Sequence, residues 1–145
     1  MKRNVFVVAA LALVGAVAVS LFARAQDVDA AKPQPTRLAV LWTSGDADVA
    51  HRVCFMYTHN AKRSKWFDEV RLIVWGPSQR ILAGDKDLQA RVKAMMRDGV
   101  KVQACISCAN SYGLVPALRK MGIEVKGMGK PLSDLLKSDH KVLTF

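Results

Sequence analysis

Apolar and polar positions alternate along this chain in two rhythms. Residues 37–42 (RLAVLW), 69–75 (EVRLIVW), 100–105 (VKVQAC), 123–126 and 141–144 are short apolar runs of strand length. Between them, apolar residues recur at helical spacing. Ala50, Val53, Cys54, Tyr57 and Ala61 make one inward face, with Ser44 as the expected N-cap and Asp46 and Asp48 in the first turn. Leu88, Val92, Met95 and Met96 make a second helix, closed by Gly99 at the C′ position. A short turn over residues 107–112 precedes a fresh helical start near Leu114. That start places Pro116 in a first turn and aligns Val115, Leu118 and Met121 before Gly122. A last short helix spans residues 131–137.

Strand and helix in alternation build crossover units, so the expected fold class is α/β. It is a three-layer α/β/α domain on a mainly parallel five-stranded sheet. In such sheets ligands and chemistry gather at the carboxyl ends of the strands.

The first 25 residues follow a different grammar. Lys2 and Arg3 precede an uncharged apolar run over residues 5–22, and Ala23-Arg24-Ala25 supplies small residues where a signal peptidase cuts. Residues 1–25 therefore read as a signal peptide cleaved before Gln26, which directs the domain to the periplasm. The run is also long enough to span a bilayer, which leaves an uncleaved anchor as the alternative. No Cys follows the small-residue site, so a lipoprotein anchor is not expected. Residues 26–36, polar, Ala-rich and proline-containing, read as a disordered lead to a single domain over residues 37–145.

Charge changes this picture little. The chain carries +10, and loss of Lys2, Arg3 and Arg24 leaves +7 on the mature part. The basic residues are scattered, without a dense block or interleaved aromatics, so a nucleic-acid partner is not expected. Nor, after cleavage, is stable membrane insertion.

The chemistry concentrates in Cys105-Ile106-Ser107-Cys108. A strand that ends at Cys105 and turns directly into a helix puts this sulfur near free backbone N–H groups, which favour a thiolate. Cys108, one helical turn on, lies on the same side and within disulfide-exchange distance. A structural disulfide is the competing reading in an oxidising compartment. It closes so short a loop that it removes little unfolded-state entropy, which favours chemistry over stability as the reason for the spacing.

Cys54, on an apolar helix face, reads as a small buried hydrophobe. His51 and His59 point away from the side of the helix that carries Cys54, and His140 reads as a surface residue. Ala109 stands where covalent haem attachment needs His, and there is no second C-x-x-C for a structural zinc. Gly127-Met128-Gly129-Lys130 lacks P-loop spacing. No cofactor and no metal is expected.

The strands LAVLWTSGD and EVRLIVWGPS, the latter leading into QRILAG, the block RVKAMMRDGVKVQACISCANSYGL and the following LRKMGIEV together resemble the DsrE/DsrF-like family of small sulfur-relay proteins. Asp98-Gly99-Val100 and Cys105 fill the family's helix–turn–strand–cysteine positions, with Gly113 as the later glycine. The resemblance implies a parallel five-stranded α/β/α fold, homo-oligomers, and a cysteine that carries sulfane sulfur as a persulfide. Cys105 matches that position. Cys108 is an addition to the family pattern, available as a resolving thiol. The expected partners are a sulfur donor or acceptor protein, or polysulfide. The best-known members work in the cytoplasm, so an exported chain does not inherit their partners. Two alternatives stand beside this reading: a non-catalytic binding or assembly module with a structural disulfide, and a general thiol-disulfide oxidoreductase. If the signal reading holds, N-terminal sequencing of chain recovered from the periplasm of an expressing bacterium will begin at Gln26; recovery in the membrane with Met1 retained indicates the anchor.

Overall fold

The computed structural model describes residues 35–145; the expected signal peptide and most of the expected lead fall on residues 1–34, outside the described residues. Five strands form one sheet: β1 (Arg37–Trp42), β2 (Glu69–Val74), β3 (Lys101–Cys105), β4 (Glu124–Lys126) and β5 (Lys141–Thr144). Their order is β4-β3-β2-β1-β5, and every pairing is parallel. Helices on both faces explain why β1 and β2 read as nearly continuous apolar runs, since their side chains are buried on either side.

The two faces are unequal. On the first, Leu38, Val40, Trp42, Val70, Leu72 and Val74 pack under four of the helices. These are α1 (residues 47–63), α3 (Lys86–Arg97), α4 (Ile106–Ser111) and α5 (Val115–Lys120), and Leu82 of the seven-residue α2 (Ser78–Gly84) joins the same cluster. Trp42 meets Phe55 edge to face, with ring centroids 4.8 Å apart, an arrangement that adds about 0.5–1.5 kcal/mol to simple burial. On the second face Ala39, Ile73 and Cys105 are covered by Met128 and by Leu135 of α6 (Gly129–Leu136).

Helix α1 departs from the regular pattern. It is α-helical over Ala47–Val49, widens into a π-helical turn over Ala50–Cys54, and is α-helical again over Phe55–Arg63. The wide turn, closed by Phe55 N–H to Ala50 C=O, adds one residue and rotates the later part of the helix. Cys54 and Phe55 are consequently both buried, while Val53, expected inward, is 43 % exposed. The N-cap also differs from expectation. The Asp46 carboxylate accepts from Asp48 N–H at 2.8 Å and Val49 N–H at 3.4 Å, whereas Ser44 Oγ accepts from Asp46 N–H one step upstream.

Other boundaries move by a residue or two, and α2 itself has no counterpart in the sequence-based reading. Gly99 does occupy the predicted position after α3, with φ of +91°, a backbone conformation that only glycine takes up without strain. The sheet reverses its direction of growth between β1 and β5. There the Phe145 carbonyl accepts from Thr43 N–H (2.7 Å), Ser44 N–H (3.2 Å) and the Thr43 hydroxyl (2.9 Å), so the chain itself fills the crevice at the switch point. Because Asp46 and not Ser44 caps α1, Asp46→Ala is expected to cost about 1 kcal/mol in urea unfolding. Ser44→Ala should cost clearly less, and the reverse ranking would return the cap to Ser44.

Candidate functional site

Cys105 is the last residue of β3 and, with φ −72° and ψ 119°, the N-cap of α4. Strand alternation sends its side chain to the second face, beside Ala39, Ile73, Met128 and Leu135, where it is 4 % exposed. Cys108, one turn into α4, packs at the margin of the same cluster and stays partly exposed. Both are free thiols in one cluster, and the Cys105 sulfur is close enough to influence ionisation of Cys108. The structure thus brings together the two residues singled out from the sequence.

The electrostatics are arranged differently from the expectation. No hydrogen bond caps α4 through the Cys105 side chain. Two amides act on the Cys108 sulfur, that of Gly76 from another strand end and, to a smaller degree, its own. Burial pushes the Cys108 thiol above its ordinary pKa, the Gly76 amide pulls it down, and the nearby Cys105 sulfur raises it again. Gly76 presents its N–H from a left-handed turn with φ of +69°, which explains a glycine there.

That turn is held by two residues the sequence reading passed over. Ser78 and Gln79 open α2 and are fully buried. The Ser78 hydroxyl donates to Trp42 C=O at 2.7 Å and accepts from Trp75 N–H at 3.1 Å. The Gln79 amide nitrogen donates to Val74 C=O at 3.1 Å and to Cys105 C=O at 3.0 Å. Two carbonyl acceptors settle which end of this amide is the nitrogen. The carboxyl ends of β1, β2 and β3 are thereby tied to one short segment, at the edge where a parallel sheet gathers its chemistry. Arg80, next along α2, stacks its guanidinium 5.3 Å from the centroid of the Tyr112 ring at the end of α4, joining the two loops from outside.

The remaining candidates lie apart from the pair. Cys54 is buried in the first-face core, and burial pushes its thiol up to about 12, as befits a packing residue. His51 and His59 are half-buried and already engaged: Arg91 Nη1 donates to His51 C=O at 2.8 Å, and His59 Nε2 is 2.6 Å from Asp98. His140 is not a surface residue, since its side chain is only 8 % exposed, with Nδ1 against Ser138 Oγ at 2.8 Å. Among the described residues no group of three or more His, Cys, Asp or Glu side chains is placed to hold a metal ion. Cavities of about 530 Å³ beside Lys62 and Asp98, 280 Å³ beside Gln89 and Met121, and 320 Å³ beside Arg71 and His140 are lined by neither site cysteine, the last reaching Leu135 of the Cys105 cluster.

Removing the Gln79 amide leaves the Val74 and Cys105 carbonyls without this donor. Gln79→Leu is therefore expected to lower unfolding stability by about 2 kcal/mol, read as a lower urea midpoint at constant m. An unchanged midpoint would mean that these bonds do not hold the strand ends.

Comparison with known proteins agrees with this architecture. The profile of the DsrE/DsrF-like family matches residues 66–145, from the end of α1 through β5 and including the cysteine turn. A solved structure of BT1422 from Bacteroides thetaiotaomicron, described as a conserved protein of unknown function, is similar at 31% identity and a TM-score of 0.73, over 75% of this chain and 94% of that one. The ychN protein from E. coli shares the fold at 17% identity and a TM-score of 0.58, over 76% of this chain and all of that one. No curated protein matches the chain. A family profile over more than half of the sequence, on this sheet order, leads to one conclusion: the chain belongs to the DsrE/DsrF-like family.

Proposed function

We propose that this protein is an exported sulfur handler that holds sulfane sulfur as a persulfide on Cys105, with Cys108 as the resolving thiol. The family is associated with sulfur relay. The observation that carries the reading for this chain is the pair itself: two free thiols within reach of each other at the carboxyl end of an interior strand.

In this reading a site thiolate attacks the sulfane sulfur of a polysulfide or a donor persulfide. A new S–S bond forms, the donor's S–S bond breaks, and the donor leaves as a thiolate or a shorter polysulfide. The sulfur comes to rest on Cys105, from which two exits are open. An acceptor thiolate takes the outer sulfur and regenerates Cys105. Alternatively Cys108 attacks the inner sulfur, expels hydrosulfide and leaves a Cys105–Cys108 disulfide. Neither exit needs a cofactor. Export rests on the N-terminal signal read from the sequence, and the donor or acceptor belongs to that compartment. Homo-oligomers are part of the proposal, with Val53 and Met56, 43 % and 51 % exposed on α1, as apolar contact candidates.

Reduced protein incubated with polysulfide and analysed by intact mass should gain one sulfur atom per chain, reversibly with excess dithiol. In Cys108→Ser, which cannot close the disulfide, the added sulfur should accumulate and map to Cys105 by peptide fragmentation. A wild type that takes up no sulfur ends the sulfur-handling reading. An easily reduced pair that turns over dithiol substrates without taking up sulfur points to a general oxidoreductase. A very negative potential with unreactive thiols points to a structural module.

A further inference from the structure

The two thiols are not equivalent, and the difference assigns them an order. Cys105 is 4 % exposed, walled by Ala39, Ile73, Met128 and Leu135. Attack on a donor's sulfane sulfur needs a nearly linear S···S–S approach, and a sulfur so enclosed offers little room for a donor of any size. None of the three cavities described above opens onto it. Cys108 is the partly exposed member. The Gly76 amide acts on it from a turn tied down by Ser78 and Gln79.

We propose that Cys108 is the receiving thiol: it takes sulfur from the donor at the surface and passes it inward to Cys105. This rests on the sulfur-handling reading above and adds the route by which sulfur arrives. In the first step the Cys108 thiolate attacks the outer sulfur of the donor persulfide. The Cys108–S bond to that sulfur forms, the donor's S–S bond breaks, and the donor departs as a thiolate that takes up the proton Cys108 gave away. In the second step the Cys105 thiolate attacks the outer sulfur of the Cys108 persulfide. That S–S bond breaks, Cys105 now bears the sulfur, and Cys108 leaves as a thiolate that recovers the proton from Cys105. The transferred atom keeps its oxidation state throughout, so no oxidant or reductant enters.

The Gly76 amide suits both steps, because Cys108 carries the negative charge when it attacks and again when it leaves. The enclosure of Cys105 then becomes useful: a persulfide stored there is screened from stray thiols that would strip one left at the surface. Attack by Cys108 on the inner sulfur, described above, remains the discharge route.

The test separates rate from extent, using reduced full-length mature chain and inorganic polysulfide with rapid acid quench and mass analysis. Cys108→Ser is expected to load Cys105 about tenfold or more slowly, since the accessible thiolate is gone, and to reach at least the wild-type extent, since the disulfide discharge is gone too. Cys105→Ser is expected to load at the wild-type rate, with the sulfur held on Cys108 and quickly removed by added thiol. In wild type, fragmentation of early time points should find sulfur on Cys108 before Cys105. If Cys108→Ser loads Cys105 as fast as wild type, the receiving role is wrong while sulfur handling stands. If wild type and both variants all fail to gain sulfur, the underlying reading fails instead. Matching far-UV circular dichroism of the three proteins ensures that the rates compare folded chains.

Discussion

The site depends on a problem every parallel sheet faces at its carboxyl edge, where the ladder stops and carbonyl groups are left pointing into the protein. Here Ser78 and Gln79, both fully buried, donate to the carbonyls of Trp42, Val74 and Cys105, and Trp42 C=O accepts from Trp75 N–H as well. A buried carbonyl without a partner costs on the order of 1–3 kcal/mol, so these bonds constrain where three strands can end relative to one another. The position of Cys105 and the direction of the Gly76 amide both follow from that constraint. The geometry of the thiol pair is a by-product of satisfying backbone groups.

That arrangement resolves a conflict within the pair. Burial raises the cost of ionising Cys108, and the neighbouring Cys105 sulfur adds to it. A donor N–H from the separate Gly76 turn offsets part of that cost at Cys108. Part of what sets the Cys108 environment therefore comes from outside the C-x-x-C motif, in the turn at Gly76.

The legible part of the sequence was the part governed by periodicity and spacing. Five apolar runs became five strands, and the C-x-x-C spacing placed two sulfurs on one side of a turn because a single helical turn separates them. What stayed hidden had no periodic signature. Helix α2 is seven residues long, too short to establish a repeat, and its first two residues are polar side chains that point inward, against the usual pattern. The π-helical turn in α1 shifts register without changing composition, which is why Val53 faces solvent where its spacing predicts an inward position. Asp46 displaced Ser44 as cap because the helix begins two residues later than the Thr43-Ser44-Gly45 turn suggested.

The unequal covering of the sheet has a consequence of its own. The first face lies under several helices, while Cys105 is roofed on the second face by Met128 and Leu135, with Leu132 alongside, all from one eight-residue helix and its N-cap. Local opening events draw on the least redundantly anchored parts of a fold. Fraying of α6 alone would bare the Cys105 sulfur while the main core stayed shut, so solvent access to that thiol is governed by the breathing of this small roof and not by the global stability of the domain.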